Sequence, residues 1–327
     1  MIAPKLKLGD EIRIITPARS ASMNWLHPLI ETAKEKLESM GFKISFGDYV
    51  EEIDEFNSSP RYMRIDDLHD AFSDPNVKAI LTVIGGYNSN QLLEFIDYEL
   101  IRNNPKILCG YSDITALQNA IYAKTDMITY SGPAFFNFAM EKGFEYNEEY
   151  FKKCLMNEDS FEIKPSKKIS EDLWGADQKN RTFTENKGWT IVNEGSAEGK
   201  IIGGNISTLA LLQGTEYWPD IKNCVLFLEE CDESTEDDIY RQIESLSQQT
   251  DFETVKAIVF GRIETACKVK QEKLIKIIKN NSRMSRIPVV LDVDFGHTNP
   301  MITFPIGGTV KLELKKESES TIEIIEH

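Results

Sequence analysis

Hydrophobic and polar residues alternate along the first half of the chain in a pattern that predicts short strands separated by amphipathic helices. Residues 11–16 have the period of two that is typical of a strand, and Pro17 ends it. Residues 24–40 carry apolar side chains at helical spacing and end at Gly41. The alternation continues with strands expected over 42–46, 77–84, 107–109 and 127–130, helices over 61–72 and 115–122, and a helix after Gly85-Gly86 that carries Leu92, Leu93 and Ile96.

The strand over residues 77–84 is a nearly continuous run of Val, Ile and Leu. Such a run is typical of a parallel sheet, because helices cover both of its faces. Repeated strand–helix units imply this arrangement. The sequence therefore predicts an α/β protein whose N-terminal domain, residues 1–160, has a parallel sheet of the flavodoxin or Rossmann type.

Residues 157–199 interrupt the alternation. They are polar and rich in charge, and Trp174 and Trp189 stand among Lys, Asp, Asn and Glu. Polar segments between regular elements are typical of surface loops that carry function. We expect residues 161–190 to form a linker and a recognition loop between two domains.

Strand and helix signals resume in the second half and end with two alternating segments, residues 310–314 and 321–325, that predict an antiparallel closing pair. These signals indicate a smaller C-terminal α/β domain over residues 191–327. Its other expected elements are strands at 200–205, 224–228, 257–260 and 287–293 and helices at 206–213, 236–248 and 270–279.

Composition narrows the classes of partner. With 327 residues, 41% of them hydrophobic, the chain can bury the cores of two domains. The formal net charge of -16 argues against nucleic acid and anionic membranes as partners.

Five widely spaced cysteines contain no Cys-x-x-Cys pair, which indicates neither a zinc cluster nor a disulfide framework. The N-terminus has no apolar signal core, and no apolar run is long enough to span a membrane. We therefore expect a cytoplasmic protein.

The most informative motif is Gly110-Tyr111-Ser112-Asp113, between a short apolar strand and a helical stretch. A sharp turn from strand to helix through Gly-x-Ser exposes the serine hydroxyl at the top of a sheet, as in a nucleophile elbow. Ile114 stands where that general pattern ends in glycine. Taken by itself, the motif is also compatible with Ser112 and Asp113 merely capping the helix.

A serine nucleophile needs a base and an acid that orients the base. Among the four histidines, His297 stands out because it lies in a turn after a predicted strand, where α/β proteins place catalytic groups, although it could instead cap its turn. Glu229 and Glu230 end an apolar strand, and either could be the acid. Adjacent strand residues point to opposite faces, so the sequence leaves that choice open.

The chain resembles the serine peptidase family that contains the LD-carboxypeptidases and the microcin C immunity proteins. The resemblance extends over nearly the whole length and keeps the family's order. The matching stretches are Pro4 with Leu8-Gly9-Asp10, residues 12–17, Gly85-Gly86-Tyr87, Asn104-Pro105-Lys106, Gly110-Tyr111-Ser112-Asp113, residues 202–205, residues 226–229, Gly296-His297 and Pro305-Ile306-Gly307.

The resemblance implies a role for each catalytic position. Ser112 is the expected nucleophile, Glu229 the acid and His297 the base, and the backbone N–H groups of Gly86 and Asp113 form the oxyanion hole. Gly85, Asn205 and Trp174 are the expected substrate contacts. The family is often dimeric, so a homodimer is expected.

Two branches of the family differ in substrate. LD-carboxypeptidases remove the terminal D-alanine of murein tetrapeptides, whereas the immunity proteins cleave the amide that joins an aminoacyl group to a nucleotide. The long linker with its two tryptophans and the acidic stretch over residues 229–234 resemble the second branch more closely. Trp174 could stack on a purine or merely pack the linker against the domains.

A non-catalytic small-molecule binding protein is the alternative of another class. Such a protein needs neither a serine elbow, nor a strand-end glutamate, nor a Gly-His turn. No nucleotide-binding glycine motif follows the first strand, and the histidines have no metal-binding spacing. The sequence therefore predicts an amide hydrolase without cofactor or metal, acting on a small peptide or an aminoacyl-nucleotide.

Overall fold

The computed structural model describes residues 1–23, 25–175 and 177–327. Its strands are β1 (Glu11–Ile15), β2 (Lys43–Phe46), β3 (Val77–Thr82), β4 (Ile107–Gly110), β5 (Thr129–Ser131), β6 (Phe161–Glu162), β7 (Lys168–Ile169), β8 (Thr184–Glu185), β9 (Thr190–Asn193), β10 (Gly195–Asn205), β11 (Val225–Glu229), β12 (Ala257–Gly261), β13 (Val289–Val293), β14 (Phe304–Ile306), β15 (Thr309–Leu314) and β16 (Thr321–Glu326).

The helices separate these strands. They are α1 (Ile30–Ser39), α2 (Arg61–Ser73), α3 (Tyr98–Asn103), α4 (Thr115–Thr125), α5 (Glu145–Met156), α6 (Ile206–Ala210), α7 (Glu236–Ser247) and α8 (Gln271–Asn280). Short 3-10 helices cover His27–Leu29, Ser89–Phe95, Ser112–Ile114, Phe135–Ala139, Phe252–Thr254, Thr265–Cys267 and Met284–Arg286. No helix in the described part of the chain has the length and apolar character needed to cross a bilayer.

The first sheet has the strand order β14-β5-β4-β3-β1-β2. Strands β1 to β5 run parallel in the order 2-1-3-4-5, and β14 joins β5 antiparallel. That order is the flavodoxin-like one, in which ligands bind at the carboxyl ends of the strands. The predicted parallel-sheet α/β fold is confirmed.

The second sheet has the order β6-β16-β15-β10-β11-β12-β13-β9. Strands β10 to β13 run parallel, and β15 and β16 form the antiparallel pair expected from the sequence. Helix α4 of the first sheet packs on β10 of the second sheet. The carboxyl ends of the parallel strands of the two sheets therefore face each other across one cleft. Asn119 Nδ2 donates to the carbonyl of Gly203 at 2.8 Å, and the N–H of Asn205 donates to Thr115 Oγ1 at 2.9 Å.

Some elements differ from the prediction. The helix expected over 24–40 is α1, and a 3-10 turn that contains Pro28 precedes it; residue 24 lies outside the described residues. The helix expected after Gly86 is a 3-10 helix over Ser89–Phe95, and α3 and α5 were not expected. The polar segment 157–199 contains strands β6 to β9 and the start of β10. Alternate residues there are exposed, because β10 has one solvated face next to β15.

Three aromatic rings pack against one another between the two sheets. Phe304 of β14 lies 5.0 Å from Phe227 of β11 and 5.1 Å from Phe295, measured between ring centroids, and all three are buried. Strand β14 is therefore a piece of the C-terminal half that completes the first sheet. The predicted domain boundaries at residues 160 and 190 stay a prediction.

We expect Phe304→Ala to lower the free energy of unfolding by about 3–5 kcal/mol, because it leaves a cavity between the sheets. Urea unfolding followed by tryptophan fluorescence measures this change. The matched control is Phe56→Ala, whose ring is exposed, with an expected change of about 0.5 kcal/mol or less. Equal effects of the two changes would show that the ring cluster does not hold the sheets together.

Candidate active site

Ser112 lies at a sharp turn between β4 and α4. Tyr111 is extended, Ser112 has a φ of 64°, and a 3-10 turn leads into α4 at Thr115. A non-glycine residue in the left-handed region costs of order 1 kcal/mol and persists where the surroundings impose it. The turn sets the Ser112 hydroxyl at the carboxyl edge of the first sheet, in front of the helix N-terminus.

His297 lies in the loop after β13, next to Ser112. Its Nε2 is 3.1 Å from Ser112 Oγ, and its Nδ1 is 2.7 Å from Glu229 Oε2. Gly296 makes the second contact possible: its φ is +103°, and a Cβ there would stand 2.7 Å from Glu229 Oε2. Ser112, His297 and Glu229 are therefore connected by a continuous chain of hydrogen bonds.

Glu229 and Glu230 end β11 and point in opposite directions. Glu229, whose side chain is 3% exposed, faces His297. Glu230 accepts hydrogen bonds from Asn205 Nδ2 at 2.9 Å and from the N–H of Ser207 at 3.1 Å. The structure thus brings Glu229, and not Glu230, against the histidine.

The electrostatics of His297 favour its charged form. Burial by itself lowers the pKa of the imidazole, but the charge of Glu229 and the hydrogen bond to it raise the pKa to about 9. The second oxygen of Glu229, Oε1, is buried and has no hydrogen-bond partner among the described residues. The carboxylate is therefore compensated chiefly through His297.

Glu264 was missed by the sequence reasoning. It follows β12, accepts a hydrogen bond from the N–H of Asp232 at 3.0 Å and also raises the pKa of His297. Burial raises its own pKa. The sequence pattern that pointed to Glu229, a carboxylate at the carboxyl end of a parallel strand, could also have found Glu264. Strand β12 lies between β11 and β13, so its carboxyl end is next to those that carry Glu229 and His297.

The diglycine turn lies directly against the serine. A Cβ on Gly85 would stand 2.7 Å from Ser112 Cβ and 2.9 Å from its Oγ. A Cβ on Gly86 would crowd Ala18 and Arg19 at 3.0–3.2 Å. Among the hydrogen bonds of the described residues, none is donated by the N–H of Gly86 or of Asp113.

A cavity of about 230 Å³ opens beside the serine, and four of the residues predicted for the site line it: Ser112, Gly86, Asp113 and Asn205. The rest of its wall is formed by Tyr87, Ser207, Thr208, Leu211, Cys231 and Glu233. Larger cavities of about 560 and 680 Å³ lie elsewhere and share Lys164 and Pro165 in their walls. We assign the candidate site to the smaller cavity because Ser112, whose Oγ lies 3.1 Å from His297 Nε2, is in its wall.

Most of the hydrogen-bonding capacity of the Asn205 side chain is used within the protein. Its Oδ1 accepts from the N–H of Thr208 at 3.0 Å and from Ser207 Oγ at 2.7 Å, which caps α6. Its Nδ2 donates one hydrogen bond to Glu230. Among the described residues Nδ2 makes no second hydrogen bond, and Asn205 is part of the cavity wall.

Trp174 does not line the cavity next to Ser112. It is half-buried and packs against the hydrophobic core that runs through both sheets. The segment that carries it nevertheless contacts the histidine loop, because Ser170 and Asn299 exchange two backbone hydrogen bonds at 2.8 and 2.9 Å. Asn299 is two residues beyond His297.

No group of three or more His, Cys, Asp or Glu side chains within residues 1–23, 25–175 and 177–327 is arranged to hold a metal ion. The groups that the structure brings together next to Ser112 are its hydroxyl, the His297 imidazole, the Glu229 carboxylate and the backbone N–H groups of Gly86 and Asp113. This set suits acyl transfer to a serine.

Comparison with known proteins gives the family. Residues 12–132 match the N-terminal domain of the LD-carboxypeptidases, peptidase family S66, and residues 198–312 match the C-terminal domain. The chain belongs to this family, as the sequence resemblance had predicted. It is a serine-type carboxypeptidase.

Relatives span almost the whole chain. A putative carboxypeptidase of Bacillus subtilis is 49% identical over 313 residues, 96% of each chain. The microcin C7 self-immunity protein MccF of Escherichia coli is 31% identical and covers 99% of this chain and 96% of its own. A probable murein peptide carboxypeptidase of Bacillus subtilis is 28% identical, with 96% of this chain and 92% of its own covered.

Solved structures agree with the fold. An MccF-like protein from Bacillus anthracis superposes with a TM-score of 0.97 at 48% identity, covering 100% of both chains. MccF in complex with aspartyl sulfamoyl adenosine superposes with a TM-score of 0.90 at 28% identity, covering 100% of this chain and 99% of its own.

We expect His297 to titrate near pH 9 and the Glu229→Gln variant to titrate lower, since the largest influence that raises the pKa is then lost. Glu230→Gln is the matched control, because Glu230 contributes least of the three glutamates that raise this pKa. Ring ¹⁵N chemical shifts of labelled histidine, recorded from pH 5 to 10, measure the change. A titration of His297 that is the same in both variants would contradict the pairing with Glu229.

Proposed function

We propose that this chain hydrolyses an amide bond of a small peptide-type substrate, with Ser112 as nucleophile, His297 as general base and Glu229 as the acid that orients it. The observation that carries the proposal is the row of contacts from Ser112 Oγ to His297 at 3.1 Å and from His297 to Glu229 at 2.7 Å. These lengths lie within the range in which a base can take the proton of its nucleophile.

The first half of the reaction acylates the serine. Ser112 Oγ attacks the carbonyl carbon while His297 Nε2 takes the hydroxyl proton, which gives a tetrahedral oxyanion. The N–H groups of Gly86 and Asp113 donate to that oxygen, and each such donor contributes ~10²–10³ in rate. His297 then passes the proton to the leaving amine, the C–N bond breaks, and an acyl ester of Ser112 remains.

Water completes the cycle. His297 takes a proton from a water molecule, the water oxygen attacks the ester, and the proton returns to Ser112 Oγ as the acid product leaves. Only the neutral imidazole can accept a proton. Because Glu229 raises the pKa of His297 to about 9, kcat/KM of the free enzyme rises with pH toward that value.

For the substrate we propose an aminoacyl- or peptidyl-nucleotide, cleaved as in microcin C immunity. The similarity to MccF supports this choice, including its complex with aspartyl sulfamoyl adenosine. The alternative is removal of D-alanine from a murein tetrapeptide, which the similarity to a probable murein peptide carboxypeptidase supports. We propose that the protein acts in the cytoplasm as a homodimer.

We expect Ser112→Ala to keep the fold and to reduce hydrolysis by several orders of magnitude, because only binding and oxyanion stabilisation remain. Mass spectrometry of a murein tetrapeptide and of an aminoacyl sulfamoyl adenosine, each incubated with the protein, detects the products. Within the same assay Glu229→Gln is expected to lose more activity than Glu230→Gln. A Ser112→Ala variant with normal kcat would end the serine-hydrolase proposal, and the opposite ranking of the glutamates would move the acid to Glu230.

Because Trp174 packs against the core in this structure, we propose that its segment moves when the nucleotide binds and brings the indole onto the base. Trp174→Ala is then expected to weaken hydrolysis of the aminoacyl sulfamoyl adenosine and to spare the murein peptide, because an indole stacked on a base contributes ~1–3 kcal/mol. The ratio of kcat/KM for the two substrates measures this effect. Trp189→Ala is the matched control on the same segment. Equal losses on both substrates, together with a lower Tm, would make Trp174 a packing residue.

A further inference from the structure

The side chain of Asp113 binds the segment that follows the diglycine turn. Asp113 is 2% exposed, and its Oδ2 accepts hydrogen bonds from the N–H of Asn88 at 3.0 Å and of Ser89 at 2.8 Å. In return Ser89 Oγ donates to the Asp113 carbonyl at 2.6 Å. Three hydrogen bonds therefore tie the serine elbow to the loop after β3.

A buried arginine holds the same segment from the other side. Arg64 Nη1 donates to the carbonyl of Asn88 at 3.2 Å and to that of Pro17 at 3.1 Å. In the peptide unit between Asn88 and Ser89, the carbonyl thus accepts a hydrogen bond from the Arg64 guanidinium. The N–H of the same unit donates to the Asp113 carboxylate. Hydrogen bonds to charged groups are stronger than neutral ones, so the orientation of this peptide unit is fixed.

The upstream end of the turn is held as well. The N–H of Arg19 donates to the carbonyl of Gly85 at 3.3 Å, and Gly85 packs against Ser112. Gly86 lies between these two fixed points. The position of its N–H is therefore set by Arg19 on one side and by Asp113 on the other.

Burying a carboxylate is unfavourable unless hydrogen bonds compensate for the lost water. Burial raises the pKa of Asp113, whereas the bonds from Ser89 and Asn88 and the charge of Arg64 lower it. An uncharged side chain would cap a turn at a smaller cost in desolvation. We therefore attribute the presence of a carboxylate at this position to its two strong hydrogen bonds, which fix the geometry of the loop after β3.

We propose that the Asp113 carboxylate is a positioning residue that fixes the spacing of the two oxyanion donors, the N–H of Gly86 and its own N–H. The proposal rests on the proposed function, and it gives Asp113 a second role through its side chain. The carboxylate does not touch the substrate. It acts through the loop that carries Gly86.

Asp113→Ala and Asp113→Asn separate this role from simple stability. Asn retains an oxygen that can accept both N–H bonds, whereas Ala retains none. We expect Asp113→Ala to lower kcat about 10²-fold with KM changed less than about threefold, since one misplaced oxyanion donor costs on that scale. We expect Asp113→Asn to recover most of that loss, measured with whichever of the two substrates the wild type hydrolyses.

Asp67 provides a matched control. It is also a buried aspartate that accepts a backbone N–H, that of Tyr49, at 3.2 Å, and it lies outside the site. Asp67→Ala is expected to lower the Tm and leave kcat unchanged. If Asp113→Ala does not fold, Ser89→Ala removes the hydroxyl bond alone and is expected to lower kcat less, again with KM unchanged.

Amide chemical shifts test the positioning without any substrate. In Asp113→Ala the ¹⁵N–¹H signals of Gly86 and Ser89 should move and their hydrogen exchange should quicken, and in Asp113→Asn both should stay near wild type. Unchanged Gly86 signals in Asp113→Ala, equal losses of kcat in the two Asp113 variants, or a rise in KM alone would overturn the inference. If the wild type hydrolyses neither substrate, the proposed function fails, while the amide shifts still decide the positioning.

Discussion

A carboxylate buried at the end of β11 must be paired, and the pairing of Glu229 with His297 is the constraint from which the geometry of the site follows. Removing one partner of a buried pair typically costs ~3–5 kcal/mol, because the remaining charge is left without compensation. The histidine must therefore approach the carboxylate closely, and Gly296 clears the space for this approach. Once His297 is held there, its second nitrogen is directed at Ser112.

Packing between the two sheets supports the contact between Glu229 and His297. Phe227 precedes Glu229 by two residues, and Phe295 precedes His297 by two. The rings of Phe227 and Phe295 lie 5.5 Å apart, with Phe304 of the first sheet packed against both. Phe227 lies on β11 and Phe295 lies in the loop after β13, so packing between the sheets holds the strand end that carries Glu229 close to the loop that carries His297.

The sequence predicted what local pattern and spacing encode. Buried strands, the elbow at Ser112 and a histidine at a strand end all leave a signature within a few residues. The choice between Glu229 and Glu230 does not, because it depends on which face of β11 meets a loop some seventy residues away in the chain. The contact of the Asp113 side chain with the loop after β3 was also missed, since a Ser-Asp pair before a helix already has a local explanation as a cap.

Strand β14 has a consequence for how this protein is made. The sheet that carries Ser112 contains five strands from the first 131 residues and one from residues 304–306. While the chain emerges from a ribosome, β5 has an unpaired edge until residues 304–306 have been synthesised. Exposed edges of this kind invite pairing with other chains. Ser112, Glu229 and His297 also come together only at that late stage, so a nascent fragment contains Ser112 without the two side chains that complete its hydrogen-bond chain.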